Sequence, residues 1–147
     1  MDVAASWPRL RPCLVVAWLC VAVMHPTAAA QVAVEGYDVV AYFTAGRATP
    51  GSADHSVRWH GRDWHFASTE HARMFRNNPE RYAPAYAGHC AWAMSQGRLS
   101  QGRPQFWAIH DDRLFMNCNA RVHEQWMANR AALIERADRE WARRNPR

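Results

Sequence analysis

Residues Ser56–Ser68 read SVRWHGRDWHFAS, and this stretch decides the fold class. Val57 and Trp59 alternate with Arg58, Trp64 and Phe66 alternate with His65, and HGRD separates the two runs. A period of two on both sides of a glycine turn is the pattern of a β-hairpin with one apolar face. On that alternation His65 points away from the aromatic face. The same pattern recurs downstream, where QFWAIH and RLFMN, joined by Asp111 and Asp112, predict a second hairpin.

Outside the hairpins the period changes. Ser68 is a good N-cap for a helix through TEHARMFRN, with Met74 and Phe75 as its buried residues, and Pro79 ends that helix or begins a following turn. The segment from about His89 to Gln96 is helical by composition and stops at Gly97. Val122, Trp126, Leu133, Ala137 and Trp141 share one stripe, the mark of an amphipathic helix or helix pair packed on the sheet. Tyr37–Phe43, YDVVAYF, reads as a strand and Thr44–Asp54 as loop. No internal repeat, low-complexity tract or linker is evident. The expectation is a single α+β domain with a small antiparallel sheet packed by helices.

The first thirty residues have a different grammar. Arg9 and Arg11 precede the apolar run Cys13–Val23, and Ala28–Ala30 offers small residues for cleavage. This predicts a secretory signal over residues 1–30 and a domain over residues 31–147, periplasmic or secreted. The run is too short to span a bilayer, which needs about twenty apolar residues, so no transmembrane segment is expected after cleavage. The net charge is +5 and every basic residue is arginine. Arg136, Arg139, Arg143, Arg144 and Arg147 crowd the end, but Glu135, Asp138 and Glu140 interrupt them, as on a solvated helix face. No nucleic-acid partner is expected.

The chemistry-bearing stretch is Tyr86–Gly97, YAGHCAWAMSQG. Cys90 and Met94 lie one helical turn apart, so a thiolate and a thioether share a face. With His71, His65 or His89 as a further ligand, they would suit copper(I), or zinc with harder partners. Three other readings stay open: a redox thiol, a disulfide to Cys118, and plain core packing. A Cys90–Cys118 bridge would close a loop of about 29 residues, worth on the order of 3.5 kcal/mol in the chain-entropy model. His89 is badly placed to activate its neighbour, because adjacent helical residues diverge by about 100°. Activation would need His65, His71 or His123. A carboxylate cluster, a glycine-rich phosphate loop and a CxxCH signal are all missing, so no catalytic residue is assigned and nothing marks the chain as an enzyme.

The succession GYDVVAYF, WHFAS, FRNNPERYAPAY, GHCAWAMSQG and RLFMNCN resembles the small exported YHS-domain proteins of bacteria. The likeness runs over nearly all of residues 31–147. It implies a YHS-like α+β fold and a metal-binding role, since YHS domains accompany heavy-metal transport modules and some monooxygenase subunits. In the metal-associated branch, cysteines stand in patterns like DPVCGM and FCSxxC. Here those positions hold Ala41, Ala67 and His71, and alanine has no donor atom. The exported branch instead keeps a cysteine, in some members selenocysteine, at the position of Cys90. An aromatic residue is usual at the position of Cys118.

Overall fold

The computed structural model of the chain describes residues 31–145; the expected signal segment lies outside them. The fold is α+β, with small sheets packed by helices, as expected. Its strands are β1 (Gln31–Val32), β2 (Ser52–Trp59), β3 (Arg62–Phe66), β4 (Arg103–His110) and β5 (Arg113–Asn117). Its helices are α1 (Ala41–Thr44), α2 (Thr69–Asn77), α3 (Pro79–Tyr82), α4 (Ala91–Ser95), α5 (Ala120–Ala128) and α6 (Arg130–Arg144). Both expected hairpins are present. β2 pairs antiparallel with β3, on whose other edge short β1 runs parallel, and β4 pairs antiparallel with β5.

Tyr37–Phe43 is not a strand. Asp38 stops the chain extending there, because its carboxylate accepts from the backbone N–H groups of Val40 at 2.9 Å and Ala41 at 3.2 Å and starts α1. The β-branched Val39 and Val40 that suggested a strand are fully buried in a tight turn. Burial on every side has overridden local propensity.

Two halves of the chain repeat one architecture, which corrects the expectation of no repeat. Ala33–Gly36 and Ala85–Gly88 are matching left-handed turns, with φ of 50° and 53° at Val34 and Glu35 and of 55° and 53° at Tyr86 and Ala87. Each turn leads into a short helix, α1 or α4. Then come an isolated bridge (Tyr37 with Pro50, His89 with Gln101), a hairpin, and a helix capped by Ser68 or Asn119. The hairpins share even their irregularity, a register shift between Ser52 and Ser56 and another between Arg103 and Trp107. The period is about fifty residues. Few residues are identical between the halves, and they sit where the backbone requires them, as at Gly36 and Gly88 or Gly51 and Gly102.

The repeats stack, and each covers its neighbour. The first core, holding Val39, Tyr42, Phe66 and Phe75, is closed by Leu114 and Met116 of β5. Tyr42 donates its hydroxyl to the Pro104 carbonyl at 3.0 Å and packs on Trp107 at 4.9 Å. The second repeat has no third repeat to cover it. There α6 takes that place, and Leu133, Ile134 and Ala137 close the second core over Met94, Phe115 and Trp126. The C-terminal stripe is thus a pair of helices, broken at Asn129, with α6 as the cap of a two-unit stack.

Gly51 and Gly102 occupy equivalent points of closest approach. A Cβ on Gly51 would lie 2.5 Å from the His65 carbonyl carbon, and one on Gly102 would lie 2.5 Å from the Gly88 oxygen. Neither backbone can retreat without breaking its turn. Gly51→Ala and Gly102→Ala should therefore each destabilise by about 3 kcal/mol in urea melts, whereas Gly46→Ala, in open space, should cost about 1 kcal/mol for its positive φ.

Candidate functional site around Cys90

Cys90 enters the second repeat where Asp38 enters the first. The Asp38 carboxylate is fully buried and accepts from Val40, Ala41, the Ala67 N–H at 2.8 Å and His71 Nδ1 at 2.6 Å. A carboxylate can only accept, so the Nδ1 proton is on His71. His71 Nε2 then faces Thr44 Oγ1 at 3.2 Å. Both ring nitrogens of His71 are thus engaged in the first repeat.

At the equivalent point Cys90 is fully buried, with Ala93 and Cys118 at the sequence positions that match Ala41 and Ala67. Unlike Asp38 at α1, the Cys90 side chain makes no cap hydrogen bond at the start of α4. The hole that holds a carboxylate in one repeat holds a thiol in the other. Cys90 Sγ donates to Asn117 Oδ1 at 3.8 Å, and the Trp92 N–H donates to the same oxygen at 3.2 Å, which fixes the amide's orientation. Asn117 Nδ2 therefore donates to His123 Nδ1 at 3.2 Å, and the neutral imidazole carries its proton on Nε2. Burial also lowers the His123 pKa, against a smaller opposing effect of Glu124.

The second thiol is beside the first. Cys90 forms an isolated parallel bridge with Met116 and its sulfur contacts Asn117, the residue before Cys118, so the two cysteines are neighbours; Cys118 is half-buried, and Asn119 Nδ2 donates to its sulfur at 3.7 Å. Both cysteines are free thiols in this structure. Burial pushes the Cys90 thiol up to about 11, partly offset by the Ala93 N–H; the nearby Cys118 thiol adds to the rise and the Cys118 N–H opposes it.

The other expected ligands go elsewhere. Met94 is fully buried in the second core, and Cys90, which caps α4 rather than lying within it, shares that helix's start. His65 Nδ1 lies against Gly36 in the first repeat, 3.5 Å from where a Cβ would stand. His89 has a buried Nδ1 without a hydrogen-bond partner, and its ring is 6.3 Å from that of Trp141. Among the described residues, no three His, Cys, Asp or Glu side chains are grouped to hold a metal. Sequence reasoning missed Asp38 and Asn117, buried polar residues whose only signal was a polar side chain inside an apolar run. No family model, curated protein or solved structure matches the chain.

The raised thiol pKa carries a pH dependence. A group held neutral in the fold but ionising near 8.5 when unfolded contributes stability that is complete below the unfolded value and is lost as pH rises through the folded one. The reduced protein should therefore lose stability from about pH 8.5 towards pH 11, beginning before tyrosine ionisation near pH 10. Cys90→Ser should flatten the early part of that decline in urea melts between about pH 8 and 10.

Proposed function

We propose that this chain is a small exported domain of YHS type whose working group is a dithiol, with Cys118 as the accessible thiol and Cys90 as its buried partner. One observation carries this reading. Two cysteines far apart in sequence come to the junction of α4 and β5, where Cys90 bridges Met116 and contacts Asn117, next to Cys118; Cys118 is half-buried and Cys90 enclosed, at the point where the first repeat holds a carboxylate.

The reaction balances without a metal. The Cys118 sulfur attacks an external disulfide, forming a mixed disulfide and releasing one thiol. Cys90 then loses its proton and displaces the second thiol from Cys118, closing the internal bridge. The protein gives up two electrons and two protons, and the external disulfide takes them. The high pKa of Cys90 makes the second step the slow one at neutral pH, and burial protects that sulfur from further oxidation.

Soft-metal binding at Cys90, with copper or zinc held by Met94 and a histidine, has less support. The thiol resists ionisation, Met94 is enclosed in core, and His71 is engaged by Asp38 and Thr44.

Oxidation by a small disulfide should remove both thiols in a denaturing thiol count without forming dimers. The melting temperature should rise on the order of 10 °C, from an entropic gain of about 3.5 kcal/mol. Cys118→Ser should abolish that rise and leave Cys90 titratable. Two thiols surviving oxidant, or a bridge between chains, would sink the reading, and so would stoichiometric copper binding lost in Cys90→Ser but retained in Cys118→Ser.

A further inference from the structure

A groove of about 980 Å³ opens at the turn ends of both hairpins, between the repeats. Trp59, Trp64, Tyr86 and Trp141 supply its apolar walls, and Arg62 and Arg113 enter it. These two arginines are equivalent, each being the first residue of the second strand of its hairpin. The repeat therefore provides an internal comparison.

Arg113 is fully paired. Its guanidinium makes a two-pronged contact with Asp138, NH2 to Oδ1 at 2.8 Å and NH1 to Oδ2 at 2.9 Å, and lies over the Phe115 ring at 4.9 Å. Tyr86 adds a hydroxyl to the same carboxylate at 2.8 Å. Burial raises the Asp138 pKa, but the Arg113 and Tyr86 hydrogen bonds outweigh it and keep the carboxyl below its usual range.

Arg62 has an aromatic ring at the equivalent position, Trp64 for Phe115, and no such acid. It lies over Trp64 at 6.0 Å, and NH1 donates to the Ala87 carbonyl at 3.2 Å. Its Nε is buried without a hydrogen-bond partner. Among the described residues no carboxylate forms an ion pair with Arg62, whereas neighbouring Arg81 faces Asp112 at 3.5 Å. Glu80 lines the groove but is not in ion-pair contact with Arg62. Burial lowers the Arg62 pKa, as expected of a cation losing water without gaining an anion.

We infer that this groove binds a small aromatic carboxylate, whose acid group takes on Arg62 the place that Asp138 takes on Arg113 and whose flat body lies among Trp59, Trp64 and Trp141. A single fork-shaped donor matches a carboxylate two-pronged. Tryptophan walls favour a planar apolar body over a bare anion. The site is independent of the cysteine pair.

The probe is 2-naphthoate, titrated into the full-length mature chain by calorimetry and tryptophan fluorescence. Saturable one-to-one binding with Kd below about 1 mM is expected, at least tenfold weaker for neutral 2-naphthylmethanol and for Arg62→Gln. Arg62→Lys, which keeps the charge but loses the fork, should fall between. Arg58→Gln, at an exposed ion pair with Asp63, should bind normally. Near-UV circular dichroism must show each variant folded; if Arg62→Gln is not, Arg62→Lys and the neutral alcohol decide. Equal affinity for acid and alcohol, equal affinity for inorganic phosphate, or no saturation by 10 mM naphthoate would overturn the proposal.

Discussion

The buried carboxylate of Asp38 organises more of this structure than any other group. It accepts from Val40 and Ala41, which turns the chain out of extended geometry and starts α1, and from Ala67, which fixes the end of β3 against that turn. His71 on α2 adds a fourth donor at 2.6 Å. One side chain thus ties together a turn, a hairpin and a helix that are distant in sequence. A buried charge is tolerable only when it is paired and hydrogen-bonded, and four donors around one carboxylate meet that condition. Removing the carboxylate would orphan all four at once.

The second repeat keeps the hole and changes its occupant. Ala93 and Cys118 stand where Ala41 and Ala67 donate to Asp38 in the first repeat, but Cys90 stands where Asp38 stood. With Val122 in the place of His71, the second hole has no imidazole of its own. Asn117, standing where Phe66 stood, supplies the polar contacts instead and connects outward to His123. A weaker acceptor replaces a fixed charge, so less of the repeat's geometry depends on this side chain. That leaves a sulfur free to change state without dissolving the turn around it.

Much of the architecture was legible from residues. The hairpins followed from alternation about HGRD and Asp111–Asp112, and α2 from Ser68, whose hydroxyl accepts from the His71 N–H at 3.1 Å. The C-terminal helices followed from the spacing of Trp126, Leu133 and Ala137, all buried. The Tyr37–Phe43 turn was misread because Val39 and Val40 favour strands by shape, while the cause of the turn, Asp38, acts partly through Ala67 and His71, which no local pattern reveals. The repeat was hidden for a related reason. What it conserves is backbone conformation at Gly36 and Gly88 and close approach at Gly51 and Gly102, while the side chains between them diverged to fill different cores. At the site, Cys90 was the residue singled out, yet its surroundings depend on which strand lies beside α4. Only tertiary structure shows that this neighbour carries Asn117 and Cys118.

Stacking two repeats also makes them unequal, and the inequality locates both candidate sites. The first repeat is covered by the β4–β5 hairpin of the second, and its hole is filled by a fully satisfied charge. The second is covered by α6, which starts where the four-residue α3 starts in the first half but runs for 15 residues, and this helix brings Asp138 to Arg113. In the first half the helix at that place, α3, ends after 4 residues, and the chain goes on to the Ala85–Gly88 turn. Arg62 therefore keeps its aromatic platform while lacking the acid that α6 supplies to its twin. A duplicated fold with one cap leaves one copy of each recurring feature incomplete: a thiol where the other repeat has a carboxylate, and an open arginine where the other has an ion pair. The incomplete copies are where chemistry from outside the chain can enter.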